Sequence, residues 1–250
     1  MLSVRKVIWT LVAVASSLAV LTVGVQLFRL VAEPPLRNLF GLATLLDVKK
    51  EESFHTWYSE MVLLFAAILL AAIWLLKRRE GDRYARHWAG LSGLLVFLSI
   101  DEGASVHEKL GNLGKLMVGA VGASPTGFLA YTWIVPALIL VLLIMVLYAG
   151  FFFHLHTRER ILFSLTIVLF VGASIFLEAL SAFYVTFHGG QQGMTLLQQL
   201  GVIGITTLEE TTEVVAVIVL IYALLTYLRP RLDGLALGFK ERAPRASGDS

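Results

Sequence analysis

Apolar residues along this chain come in long blocks separated by short polar stretches rich in arginine and lysine. A helix needs about 20 mostly apolar residues to cross ~30 Å of hydrocarbon. Six blocks reach that length: residues 7–31, 56–76, 88–107, 128–153 and 161–188, and a sixth that ends at Leu228 and begins between Thr195 and Thr207. Arg5 and Lys6 precede the first block as in a signal peptide. Its apolar run exceeds the usual ~7–15 residues and no small-x-small cleavage site follows, so it reads as a retained span.

Composition agrees with that pattern. The 250 residues are 57% hydrophobic and 15% charged, against about 25% charge in soluble domains. A soluble globular protein, a disordered chain and a nucleic-acid module are excluded. There is no cysteine, hence no disulfide framework, thiol nucleophile or thiolate metal site. The predicted fold class is all-α: a six-transmembrane-helix bundle over residues 1–228, followed by a basic, disordered tail over 229–250. With the N-terminus cytoplasmic, 14 of the 20 Lys and Arg fall inside, among them Arg5, Lys77–Arg79, Arg158, Arg160 and Arg229. That is a positive-inside signal, and six spans place both termini in the cytoplasm. The outer loops are then 32–55, broken by Pro34-Pro35 with an apolar stretch Leu39–Leu46 expected on the membrane surface, and the Gly-rich 108–127. Gly189–Gly193 is expected to be an external turn.

The informative residues are acids where lipid is expected. Asp101 and Glu102, with His107 and Glu108, fall in FLSIDEGASVHEKL; Glu178 falls in ASIFLEALSAFY, with His188 at the end of that helix; Glu209, Glu210 and Glu213 fall in TTLEETTEVV; Ser59 and Glu60 stand at the mouth of the second span. An ionised acid at the bilayer centre costs at least ~2.5–3.5 kcal/mol. In the inferred topology all these groups lie in the outer halves of four helices, which predicts one polar chamber open to the extracytoplasmic side. At about 100° per residue, Asp101, Glu178, Glu209 and Glu213 are expected to face inward, Glu102 and Glu210 less directly. On an ideal helix His107 is turned well away from Asp101, although Gly103 can loosen the turn. Few bases lie near: Lys109, Arg29 and Lys115 at most. Protonated carboxyls, a bound cation or a watery vestibule remain, each making the region a cation or proton site. A divalent metal held by Asp101, Glu178, Glu209 and His107 is one form of it.

Plainer readings stand beside these. The third span can end early and leave its acids in a loop. Thr206 or Thr207 can cap the sixth span, with the acids favouring the positive dipole end. Glu178 can be a protonated side chain bonded to a neighbouring helix. Trp57, Tyr58, Trp88, Tyr131 and Trp133 read as an interfacial belt, His154 and His156 as interface residues, and Gly90, Ser92, Gly201 and Gly204 as helix-packing contacts.

At TWYSEMVLLFAAILLAAIWLL, FLSIDEGASVHEKL and TLEETTEVVAVIVLIYALLTYL the chain resembles uncharacterised bacterial multi-pass inner-membrane proteins that share an Asp-Glu pair followed by His-Glu in one span and a Leu-Glu-Glu segment in the last. The resemblance implies a bacterial inner-membrane location and no activity. Glu209-Glu210 resembles the opening of intramembrane CAAX-type proteases, but the Arg expected after it and the later His motifs are missing. The late His-x-x-x-His of the ceramidase and adiponectin-receptor superfamily is absent, as are Gly-x-Ser-x-Gly, His-Glu-x-x-His and Walker signatures.

Three functions stay open. An acidic chamber that binds a cation or protons suits transport, although the inner halves of the spans offer no polar through-path. A carboxylate/His metal site suits a membrane-embedded enzyme acting on a lipid. A polar network acting as interhelical glue suits an accessory or assembly subunit. The expected partners are the lipid bilayer, a protein partner or a second copy, and no nucleic acid.

Overall fold

In the computed structural model, which describes residues 3–33, 41–47, 50, 52–190 and 193–241, the chain is all-helical. Its helices are α1 (Val4–Val31), the single turn α2 (Leu42–Leu45), α3 (Phe54–Arg79), α4 (Ala85–Ala104), α5 (Val106–Lys109), α6 (Gly111–Ala120), α7 (Ile134–His154), α8 (Thr157–Val171), α9 (Glu178–Phe187) and α10 (Leu196–Glu241). A π-helical segment, Gly172–Leu177, joins α8 to α9 in one 31-residue helix. Five helices, α1, α3, α7, α8–α9 and α10, are long and apolar enough to cross a membrane; the sixth candidate is α4 with α5 and α6, bent by 78° at a break. The chain is an integral multi-pass membrane protein.

The expected boundaries shift most on the third, fourth and sixth spans. The third span stops at Ala104 instead of reaching His107. The fourth starts at Ile134, because residues 127–129 form a separate 3₁₀ turn. The sixth starts at Leu196, the early end of its window, and passes through Pro230 to Glu241. Residues 242–250 of the expected tail lie outside the described residues, as do Pro34, Pro35 and Leu39 of the outer loop and Gln191 and Gln192 of the Gly189–Gly193 turn.

Lipid tails are as apolar as leucine, so membrane helices associate through close packing and interhelical hydrogen bonds. On α3, Leu63, Ala66, Leu70 and Ile73 recur at helical spacing and are fully buried, as are Val214, Val217, Ile221 and Leu224 on α10. These two stripes form the centre of the core. The α3–α4 hairpin is tied by two serines a heptad apart: Ser92 Oγ donates to the Ala67 carbonyl at 2.8 Å and Ser99 Oγ to the Glu60 carbonyl at 3.0 Å. Gly103 continues that face, and a Cβ there would overlap the Glu60 carboxylate. Gly90 and Ser92 thus act in helix packing, Gly90 making room for the Tyr148 hydroxyl. Tyr58 Oη donates to the Leu11 carbonyl at 2.7 Å and anchors α1. Asp47 holds the segment after α1, accepting from Gln26 Nε2 and Arg29 Nη1, each at 2.6 Å.

α7 is the outlier. It packs its backbone on α6 and is held off α4 and α8 by side chains. At its C-terminal end those side chains are aromatic. Phe151 stacks on His87 at 5.5 Å and meets the edge of Trp88 at 5.0 Å, while Trp88 also contacts Phe163 and Tyr227. The belt assignment fails for two residues here: Trp88 lies in this cluster and Tyr58 against α1, both buried. His154, read from the sequence as an interface residue, is exposed and lays its ring 4.8 Å from that of Tyr84.

The α3–α4 turn carries an acid-sensitive lock. Asp82 Oδ1 accepts the Tyr84 N–H at 2.7 Å, and Oδ2 lies 3.2 Å from Lys77 Nζ. Burial alone would raise this carboxyl, but the Tyr84 N–H and the Lys77 ammonium outweigh it and hold Asp82 below its ordinary 3.8. A carboxyl depressed on folding stabilises above its unfolded pKa, and that stabilisation fades as pH falls through the folded one. Asp82→Asn should therefore cost about 1 kcal/mol at pH 7, with the gap closing as pH falls below about 4. Thermal unfolding in detergent at both pH values measures it, and a gap independent of pH would refute the lock.

Candidate functional site

The site is built on the break after α4. Ser105 has φ 43° and ψ 49°, and among the described residues no other non-glycine has positive φ. A left-handed L-residue costs roughly 1–2 kcal/mol, so something must hold it there. Asp101 does so: Oδ1 accepts the backbone N–H of His107 at 2.7 Å, and Oδ2 lies 3.0 Å from His107 Nδ1. One carboxylate thus caps the helix beyond the break and clasps its ring. With Nδ1 donating to Asp101, Nε2 of a neutral ring is left as an acceptor. Lys109 Nζ satisfies the Ala104 carbonyl at 3.0 Å. The ideal-helix phasing that separated His107 from Asp101 fails because the helix stops between them.

The bend also positions α7. Thr132 Oγ1 donates to the Gly111 carbonyl at 2.6 Å, and Gly114 sits so close to the Thr132 carbonyl that a Cβ would overlap it. Next along the chain, Trp133 lays its ring 4.7 Å from that of His107 and donates from Nε1 to Glu178 Oε1 at 3.0 Å. Trp133 is therefore part of the site, and its assignment to the belt is corrected. A buried indole N–H needs an acceptor, and Glu178 supplies one from another helix.

Glu178 follows the π segment, whose i→i+5 bonds widen the turn and change the helical phase. The ideal stripe Ser174–Glu178–Ser181–His188 does not survive intact: Ser174, Glu178 and Ser181 line one cavity, whereas His188 turns Nδ1 to the Tyr184 carbonyl at 2.8 Å. Three of the remaining acids lie beside polar groups of neighbouring elements. Ser59 lies beside Glu102 and Ser174 beside Glu213, the Ser174 hydroxyl itself donating to the Phe170 carbonyl at 2.8 Å, and His55 Nδ1 lies 3.8 Å from Glu210 Oε2, too far for a direct bond. Among the described residues, no lysine or arginine lies within ion-pair distance of Glu102, Glu178, Glu210 or Glu213.

Asp101, Glu102, His107, Glu108, Glu178, Glu209, Glu210 and Glu213 all line one cavity of about 1150 Å³ between α4, α7, α8–α9 and α10. Ser59 and Glu60 stand behind it on α3, the first through Glu102 and the second against Gly103. Phe97, Leu140, Met145 and Val168 in its lining are exposed on the outer surface, so the cavity is open to its surroundings and not a sealed void. Asp101, Glu178, Glu209 and His107 share this cavity, but among the described residues no three His, Asp or Glu converge as a metal-holding group: Asp101 is engaged by His107, and Glu178 by Trp133.

Residues 7–228 match the model of a family described as "Domain of unknown function (DUF8692)". The chain belongs to that family. No curated protein and no solved structure matches it. The match takes in every element of the cavity, so the bend, the acids and Trp133 all lie within the DUF8692 region. Sequence reasoning missed Trp133 and His55. The available signal was depth: each stands at a span end beside an acid-bearing helix.

If the bend depends on Asp101, removing its carboxylate should cost more than neutralising an acid that only lines the cavity. Asp101→Ala should destabilise by about 1–2 kcal/mol, and Ser105→Val, β-branched at positive φ, by a similar amount. Glu108→Gln, on the exposed side of the same turn, should change stability by less than about 0.5 kcal/mol. Thermal unfolding of the three variants decides it; Asp101→Ala and Glu108→Gln behaving alike would remove the clasp from the account.

Proposed function

We propose that this DUF8692 protein binds protons or a cation in an acidic intramembrane chamber formed by Asp101, Glu102, Glu178, Glu209 and Glu213, with Glu108, Glu210 and His107 at its wall and Ser59 and Glu60 behind. The observation that carries the proposal is that acids from α4, α9 and α10 line one cavity, with Trp133 donating to Glu178 and only serine or histidine beside Glu102, Glu210 and Glu213. Carboxylates held together without fixed cations must share protons or a mobile positive charge, because each buried, unpaired anion is expensive. With no three-ligand group among the described residues, protons or a loosely held cation fit better than a coordinated divalent metal. Positive-inside placement of Lys77–Arg79 and Arg158 puts the acid end on the extracytoplasmic side. Transport would require the aromatic cluster around Trp88 and Phe151 to open, since it closes the other end. The Asp101–His107 pair favours a second use of the same chamber: an oriented imidazole is the usual general base of an enzyme.

Two measurements test this. Single-cysteine labelling should place Lys50 and Arg83 on opposite faces of the membrane; labelling from the same face would reverse the proposed entry side. Thermal unfolding between about pH 5 and 8 should shift for the wild type by several degrees, about 2–4 °C for each kcal/mol, and flatten in Glu178→Gln and Glu213→Gln, which keep size but not titratable charge. Identical pH profiles in all three would leave interhelical glue, and with it an accessory role, as the function of these acids.

A further inference from the structure

The cavity does not end where the acids do. Below them its wall is apolar, with Leu94 and Leu98 on α4, Val141 and Ile144 on α7, and Ile167 and Phe170 on α8, down to the aromatic cluster at Phe151. From Glu102 to Leu91, the lining of α4 spans about 16 Å at 1.5 Å per residue, roughly half the ~30 Å hydrocarbon thickness. That is the depth of one leaflet. The slot also opens sideways: Phe97, Leu140, Met145 and Val168 line it and are at the same time exposed on the apolar outer surface. A molecule could enter between α7 and its neighbours without crossing water.

We propose that this cavity seats a long-chain lipid with a protonated amine head, its chain between α4, α7 and α8 and its nitrogen among Glu102, Glu178 and Glu213. The inference rests on the acidic-chamber proposal and adds the class of ligand. Charge complementarity selects the head group. Seven carboxylates line the polar end, against Lys115 as the single lysine and no arginine among the described lining residues, so a phosphate or carboxylate head would be repelled while an ammonium group meets acceptors on three helices. The apolar length below selects a chain over a small amine. Trp133, bonded to Glu178 and lying against His107, is placed to pack on the junction between head and chain.

The test uses the full chain in nanodiscs of phosphatidylcholine, titrated with hexadecylamine, hexadecanol and hexadecanoate, with bound copies counted by native mass spectrometry. The expected result is a one-to-one hexadecylamine adduct at least tenfold tighter than either of the others. Glu178→Gln combined with Glu213→Gln should erase that preference. Ile144→Trp should plug the slot and weaken the amine at least tenfold while leaving the pH-dependent unfolding of the wild type in place; Leu94→Trp, on the facing helix, is the second plug should the first not fold. Equal binding of all three compounds, no adduct with any, or plugs that leave binding unchanged would each overturn the lipid proposal. If the pH response persists while the amine fails to bind, the chamber stands and the lipid falls. If the amine binds selectively to a protein without any pH response, the failure belongs to proton sharing alone.

Discussion

The Asp101 carboxylate does two jobs at one point, and the polar end of the molecule depends on both. It accepts the main-chain N–H of His107 and holds the ring of the same residue, which stabilises a left-handed Ser105 that would otherwise be strained. Because α4 stops there, α5 and α6 turn by 78°. Thr132 can then dock on Gly111 and bring Trp133 across to Glu178. A straight helix would carry His107 outward and leave both Glu178 and the indole N–H without their partners.

The second constraint is how membrane helices can associate at all. The α3–α4 hairpin uses small residues and hydroxyl-to-carbonyl bonds, Ser92 to Ala67 and Ser99 to Glu60, which allow close backbones, while α3 and α10 pack through fully buried aliphatic stripes. α7 has the opposite composition. Its large apolar side chains and aromatic C-terminal end keep it away from α4 and α8, and the gap becomes the cavity. Tight packing on one side and bulky spacing on the other thus produce a bundle with a rigid back wall and a slot facing lipid.

Within that slot the acids are arranged by economy of partners. Asp101 is held by His107 and Glu178 by Trp133, while Ser59 stands beside Glu102 and Ser174 beside Glu213. The bonds to Asp101 and Glu178 come from histidine and tryptophan, enough to orient a carboxyl and too little to neutralise a fixed anion. Lysine or arginine partners would have fixed the charge of such a set permanently, and the proposed binding of protons or a cation follows from the lack of an ion-paired lysine or arginine at Glu102, Glu178, Glu210 and Glu213 among the described residues.

The apolar blocks alone were sufficient for the all-helical, multi-pass architecture, because spanning ~30 Å without water demands long apolar helices whatever surrounds them. They also located the acids, since a carboxylate inside such a block is conspicuous by its cost. Periodicity could not reveal the break at Ser105 or the π segment before Glu178. Both depart from the regular 3.6-residue turn, so an ideal phase sends His107 away from Asp101 and keeps His188 in a stripe that it leaves. Trp133, Trp88 and Tyr58 looked alike in sequence, as aromatics near span ends. Only the tertiary structure separated them, because whether an aromatic faces lipid, a carboxylate or another ring is decided by which helix stands opposite it, and that depends on the small residues that let some helices approach and the large ones that hold α7 apart.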